Sequence, residues 1–283
     1  MLFFIGLFTV FGSVLYGYVM SNGELLALWH PFEFLIIIGG AFGAFLLSNP
    51  WHLITECFKL MPQVMFGSKV NKAMYMDVLG LIYDILNKAR REGIMSIEGD
   101  VDSPKSSALF ARYPAIQGNS ELAEFIADYF RIIAAGNLTP YELEALMDQE
   151  IEARLHELEA PGDAVGRVAD ALPGFGIVAA VLGIVITMGA IDGEITEVGG
   201  SIAAALVGTF SGVFLAYGMV GPVSAKMRHI ADEEIKLYES VKACVIASLN
   251  GLPPQLAVEF GRKALFTQSR PSFNEVESKV RGR

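Results

Sequence analysis

Four stretches of the chain, roughly 2–20, 34–49, 172–191 and 200–222, are nearly uninterrupted runs of apolar and small residues. At ~1.5 Å per residue each is long enough, or nearly so, to cross a hydrocarbon core of ~30 Å as a helix. Between and after these runs the pattern becomes periodic. From Asn71 to Arg91 the residues Met74, Leu79, Ile82, Ile85 and Leu86 fall on one helical face, which predicts an amphipathic helix. Thr139-Pro140-Tyr141-Glu142 reads as a helix start: Thr139 can cap, Pro140 suits the first turn, and Glu142 closes a capping box. The helix that follows, YELEALMDQEIEARLHELEA, carries a dense acidic face. A further long helix is predicted over Ser224 to Asn250, stopped by Asn250-Gly251 and by Pro253-Pro254. No segment alternates like a strand, and no period of about 20–50 residues repeats. The expected fold is all-α: a polytopic membrane protein with four transmembrane helices and a helical cytoplasmic domain.

Charge sets the orientation of the spans. All 21 Lys and Arg lie in two blocks, Lys59 to Arg167 and Lys226 to Arg283. The short connections, Ser21 to Glu33 and Asp192 to Gly199, carry only acids and one His. Positive charge collects on the cytoplasmic side, so both blocks are expected inside and both short loops outside, with both termini cytoplasmic. The expected division is a first transmembrane hairpin (1–50), a cytoplasmic helical domain (51–170), a second hairpin (171–223) and a cytoplasmic C-terminal helix and tail (224–283). The opening MLFFIGLFTVFGSVLYGYV lacks a basic leader region and runs on toward another hydrophobic span, so it is expected to remain as a first helix. Trp29 and Trp51 flank the second span as interface anchors, with Tyr16 and Tyr18 late in the first.

A mean hydropathy of +0.45 with 53% hydrophobic residues is too apolar for an ordinary soluble protein. A net charge of −10 argues against nucleic acid as a partner. Cys57 and Cys244 both fall on the cytosolic side, where thiols stay reduced, and no disulfide is expected. The four His (30, 52, 156, 229) are scattered. With no nucleophilic, metal-ligand or phosphate-loop constellation, neither an enzyme, a metal site nor a cofactor is expected.

The later two spans differ in chemistry from the first two. Ala179-xxx-Gly183, Ala204-xxx-Gly208 and Gly208-xxx-Gly212 let helix backbones approach closely. That serves packing within the chain, an oligomer axis or a partner helix. No Asp, Glu, Lys, Arg or His lies within the body of any span; Glu33 stands at the edge of the second. Thr187, Ser201, Thr209, Ser211 and Tyr217 are the polar residues of spans three and four. Their hydroxyls can line a wet path or bond to helix carbonyls, but their pKa values lie far outside the physiological range. If ions cross here, a partner must bring the carboxylate.

Two prolines mark the cytosolic ends of these spans. Pro173 suits a helix start. Pro222 falls where span four runs on into the next helix, and a proline there removes a hydrogen bond and favours a kink. A transmission joint between membrane and cytosol is the functional alternative for the pair. In the loop domain Arg90, Arg91 and Glu98 surround Gly93. They form either a solvated charged turn or a docking surface for a charged partner.

These residues resemble the MotA/TolQ/ExbB ion-channel superfamily over nearly the whole chain. The resemblance rests on PFEFLIIIGGAFGAF, ARREGIMSIEGDVDSP, ELEALMDQEIE, LPGFGIVAAVLGIV, AALVGTFSGVFLAYGMVGP, NGLPPQLAVEFGRKALF and RPSF, in that order. The four-span layout favours the flagellar stator branch over its three-span relatives. The resemblance implies a bacterial inner-membrane protein, a homopentamer around a dimer of MotB, whose membrane helix carries the proton-accepting Asp. It implies that Arg90 and Glu98 contact the rotor protein FliG, that Pro173 and Pro222 couple ion passage to movement, and that Thr209 and Tyr217 lie along the ion path. Sodium-driven members carry a Thr where this chain has Ala180, so the implied ion is H⁺. A TolQ/ExbB-like energiser of an envelope process and a passive membrane scaffold are the alternatives. Rotor dependence separates the first from the stator, and conductance separates both from a scaffold.

Overall fold

The computed structural model describes residues 2–136, 138–189 and 195–281. No strand occurs among them, and four helices are long and apolar enough to cross a membrane. The architecture is all-α. The chain packs as two compact units, Met1–Gly67 with Glu157–Ile230 and Ser68–His156 with Ala231–Arg283. The domain limits expected near 51 and 170 follow the membrane surface. Packing groups residues 51–67 and 157–170 with the spans, so the two divisions describe different properties of the chain.

In the first unit, α1 (Leu2–Met20) buries none of its residues within the chain. One face, through Leu7, Val10, Phe11 and Val14, is half-buried, and most of the rest of this apolar helix is exposed, as suits contact with lipid. A turn at Asn22, with φ of 62°, and a 3₁₀ segment (Leu25–Leu28) lead to α2 (Pro31–Ser48). Along α2 the buried residues Ile37, Ala41 and Phe45 recur every fourth position and form one narrow stripe. Ile37 and Ala41 pack in one cluster with Leu172, Ala179 and Ala216. Asn49 ends the helix: its amide donates to the Phe45 carbonyl at 2.7 Å and its oxygen accepts from Arg167 at 2.9 Å.

Pro50 then starts α3 (Trp51–Phe66), an amphipathic helix that buries Ile54, Cys57 and Val64. Trp51, expected as an anchor of span two, is the first residue of α3 and is exposed. Phe45, Ile54 and Cys57 surround Ala164, while Val64 meets Val223, Met227 and Ile230.

Span three is the last part of α8 (Pro140–Gly189), a helix of 50 residues. Pro173 therefore does not start a helix. The helix runs through both Pro173 and Pro161. Proline's fixed φ near −65° is itself helical, so the loss at each is one N–H and its bond to the carbonyl four residues earlier. Span four is α9 (Ile195–Leu215), followed without a break by a π-helical turn (Ala216–Val220) and α10 (Gly221–Leu249). The outer connection expected over 192–199 falls partly on residues 190–194, outside the described residues.

Spans three and four touch backbone to backbone. A Cβ on Gly212 would fall 2.6 Å from the Leu172 carbonyl oxygen, and one on Gly176 3.0 Å from the Gly208 oxygen. Gly208 faces the Ala179 methyl, and Gly183 faces Ala205. The small-residue spacing thus serves this crossing within the chain.

The second unit is built on α4 (Lys72–Glu92). Asn71 caps it by accepting from the Met74 N–H at 3.0 Å. Met74, Leu79, Ile82, Ile85 and Leu86 are all buried, and so are Tyr75, Val78 and Leu81. More than the expected face is covered, because α4 contacts both later helices of the unit, α11 (Pro254–Ala264) and α12 (Phe273–Arg281). The Tyr75 hydroxyl also donates to the Glu233 carbonyl at 2.8 Å. The unit's core continues through the short α6 (Pro114–Gln117), where Ile116 is buried, into α7 (Ser120–Ala135), which buries Leu122, Phe125, Ile126, Tyr129 and Phe130.

The expected capping box forms at the start of α8. Glu142 accepts from the Thr139 N–H at 2.9 Å, and its own N–H reaches the Thr139 hydroxyl at 3.3 Å. The expected stop of α10 forms at Gly251, with φ of 83°. Its N–H bonds to Ser248 O, and the Leu252 N–H to Ala247 O. That left-handed residue and its pair of bonds are a Schellman cap.

Candidate functional site

Arg90 stands exposed in the last turn of α4. The chain turns at Gly93, φ 91°, passes through a 3₁₀ segment (Ile94–Ile97) and enters α5 (Glu98–Asp102), whose first residue Glu98 is also exposed. Neither side chain has an ion partner among the described residues. The backbone behind them is fixed. Ile97 and Val101 are fully buried. Lys88 donates to Asp100 at 2.8 Å and the Ser107 hydroxyl donates to the same carboxylate at 2.6 Å. Burial alone would raise the Asp100 pKa. The hydrogen bonds from Lys88 and Ser107, helped by the charges of Lys88 and Arg112, more than offset it, so the carboxyl titrates below its ordinary range. Two unpaired, opposite charges are thereby displayed on a braced corner.

In the first unit, Ala180 and Thr209 each lie beside the crossing of α8 and α9. A Cβ on Gly208 would stand 3.6 Å from the Ala180 nitrogen, and one on Gly176 3.5 Å from the Thr209 Cα. Thr187 is buried and donates to the Gly183 carbonyl at 2.8 Å, the structural use of a hydroxyl in a helix. Ser211 is also buried. Tyr217 lies in the π-helical turn and its side chain is largely exposed.

That turn has a cause in the sequence. Pro222 has no N–H to give the Gly218 carbonyl, so the i→i−4 ladder loses that bond, as it does at Pro161 and Pro173, but here a glycine precedes the proline. The Gly221 N–H instead reaches back five residues to Ala216 O, the bond of a π-helix. A Cβ at 221 would sit 3.0 Å from that oxygen, so glycine there leaves room for the bond. Sequence reasoning singled out Pro222 but missed the π turn, for which Gly221-Pro222 is the signal. It also missed Pro161, whose carbonyl accepts a contact from Cys57 Sγ at 3.6 Å.

Each proline is bracketed by tight packing. Beyond Pro173 lies the Gly176–Gly212 crossing. On its other side the buried Ser224 hydroxyl donates to Gly162 O at 2.8 Å, and Arg228 pairs with Asp163 at 2.9 Å. The segments carrying Pro173 and Pro222 thus lie between two fixed points, where a local change of helix geometry is confined.

Four apolar spans, two of them joined by glycine contacts with prolines and a π turn at their ends, define a polytopic membrane subunit built on a close helix crossing. The comparisons agree. Residues 4–93 match the Motility protein A N-terminal family and residues 117–240 the MotA/TolQ/ExbB proton channel family. The chain is 44% identical over 281 residues to Motility protein A of Salmonella typhimurium, which covers 99% of this chain and 95% of that protein. The same figures hold for Motility protein A of Escherichia coli. It is 40% identical over 274 residues to the chemotaxis protein LafT of Vibrio parahaemolyticus, covering 97% and 96%.

The fold matches the solved MotAB structure of C. jejuni with a TM-score of 0.76 at 18% identity, over 95% of this chain and 98% of that one. It matches the flagellar MotAB stator complex of Bacillus subtilis with a TM-score of 0.72 at 22% identity, over the same shares. The chain belongs to the motility protein A family, within the MotA/TolQ/ExbB proton channel family, and that family is not enzymatic.

Proposed function

We propose that this chain works with a MotB-type partner as the stator unit of a flagellar motor, passing protons across the bacterial inner membrane and turning their flow into torque. The observation that carries this reading is the chemistry of spans three and four. They cross tightly, present an outward apolar face (Ile177, Val181, Val185 on α8; Leu206, Phe210, Val213 on α9), and within 172–191 and 200–222 hold no Asp, Glu, Lys, Arg or His. A proton path along such helices needs a carboxylate from elsewhere. The outward face supports packing against further copies, read as a homopentamer, and against the partner's helix.

Protonation of the partner's Asp removes a charge beside Ala180, Thr209 and Tyr217 and relaxes the packing there. The segments at Pro173 and Pro222 take up the change. Arg90 and Glu98 engage the rotor protein FliG, where exposed charges govern encounter and register. Both chain ends lie in the cytosol by the distribution of Lys and Arg.

The direct test is flux in vesicles. This chain alone should not conduct, flux should appear with the partner, and it should vanish when the partner's membrane Asp becomes Asn. Robust flux from this chain by itself would overturn the reading.

A further inference from the structure

A cleft of about 600 Å³ opens in the first unit between the early turns of α1, the last turn of α3 and the π-helical turn that leads into α10. That volume lies within the ~300–1,000 Å³ of small-molecule sites. Phe3, Leu7 and Val10 form one wall, Val64 and Met65 another, and Met219 the third. Gly6 faces this space with no heavy atom within 4 Å of where its Cβ would stand. At the end of the cleft is Lys226, one turn beyond Pro222 and exposed. Among the described residues no carboxylate pairs with it; the neighbouring ion pair is Arg228 with Asp163.

We propose that this cleft seats an acyl chain of an anionic phospholipid whose headgroup phosphate is held by Lys226. Three observations select that occupant. The walls belong to helices at a span end, so the molecules at hand are lipids, and an unfilled apolar cleft forfeits its dispersion contacts. Lys226 follows span four directly, at headgroup depth, where a lysine lays its stem along apolar surface and keeps its ammonium at the interface. A second copy of this chain could fill the cleft with a span, but the apolar bodies of its spans, 2–20, 34–49, 172–191 and 200–222, hold no Asp or Glu and would leave Lys226 without a counter-charge. An anionic lipid satisfies both ends.

The site bears on the motor's own joint. Met219 and Pro222 line it, and α1 already touches the π turn, since a Cβ on Gly218 would fall 3.0 Å from Val10 Cγ1. A bound chain therefore wedges against the turn whose geometry Pro222 sets. This inference needs only the membrane location and is independent of rotor docking.

The test uses the full chain purified with its membrane partner from nanodiscs of equal phosphatidylcholine and phosphatidylglycerol, with co-purifying lipid quantified. Phosphatidylglycerol should be enriched roughly fivefold, the ratio given by ~1 kcal/mol for one basic residue near an anionic surface. Lys226→Gln should bring the ratio to that of the bulk without lowering total bound lipid. Gly6→Phe should lower the total for both lipids. A Leu7→Trp reporter gives a second reading, with brominated phosphatidylglycerol quenching it more than brominated phosphatidylcholine. A wild-type ratio equal to bulk, or equal quenching by the two lipids, overturns the headgroup assignment. Undiminished lipid in Gly6→Phe overturns the seat itself and points to a second copy covering the cleft.

Discussion

Adding one methyl group at Gly212 tests whether the crossing of spans three and four is held by backbone contact. In Gly212→Ala the new carbon would lie 2.6 Å from the Leu172 carbonyl oxygen and 3.0 Å from the Gly176 Cα. Both are main-chain atoms of α8 and cannot rotate aside. To reach the 3.4 Å of ordinary contact the helices must part by about 0.8 Å. Overpacking of this kind costs about 1–3 kcal/mol. Helix propensity acts the other way, favouring Ala over Gly by ~1 kcal/mol in a helix interior. Gly43→Ala in α2 isolates the contact, because nothing lies within 4 Å of a Cβ there and the propensity gain is the same. The difference between the two variants should therefore be about 1–3 kcal/mol, with Gly212→Ala the less stable. The assay is the thermal unfolding midpoint of the purified complex, with swimming as a parallel readout. Gly43→Ala should match or exceed wild type, while Gly212→Ala should melt several degrees lower and impair motility. A Gly212→Ala complex at least as stable as Gly43→Ala would refute the close-contact argument.

Arg90→Glu should impair rotation, and an opposing charge reversal on the rotor should restore part of it; if Arg90→Glu and Glu98→Lys together leave swimming intact, the corner is a solvated turn. Motor speed should follow the proton gradient and ignore sodium at fixed pH and ionic strength, because Ala180 lacks the oxygen that a dehydrated Na⁺ would need beside Thr209; sodium-dependent speed would overturn this. The hydrogen bond from Lys72 to Glu275 at 2.8 Å, with that from the Ser272 N–H, holds the Glu275 carboxyl down at about 2. Its folded pKa lies below the unfolded ~4.3, so the stabilisation is complete above that value and is lost as pH falls toward 2. Hydrogen exchange in α12, corrected for its intrinsic rate, should rise as pH falls from about 5 to about 3, and Lys72→Met should flatten that rise; an unchanged profile in the variant would count against a stabilising role for the Lys72–Glu275 pair.

The sequence was most informative where the physics is local. Span length, the sorting of Lys and Arg, the capping box at Thr139 and Glu142, and the left-handed stop at Gly251 each depend on a few neighbouring residues and the medium they meet. The structure reproduces the span count and both helix ends. The amphipathic face of α4 was legible for the same reason, but its extent was not. Val78 and Leu81 are buried as well, on a helix that contacts α11 and α12 from a distant part of the sequence. Arg90 and Glu98 could be singled out as charges around a glycine. Their brace, in which Asp100 joins Lys88 and Ser107, depends on distances that spacing alone does not set.

What the sequence by itself determined is the solvent each segment requires and the chemistry the spans lack. Hydropathy, charge and titratable groups are properties of residue type, so the lack of a carboxylate in the bodies of the spans is legible without coordinates. Only the tertiary structure decided which glycines carry the helix crossing, that α8 runs through both of its prolines, that Pro222 is accommodated by a π turn closing on Gly221, and that three helix ends leave a cleft beside Lys226. Each of these is settled by which backbones approach one another and which hydrogen bonds remain to be made once they have.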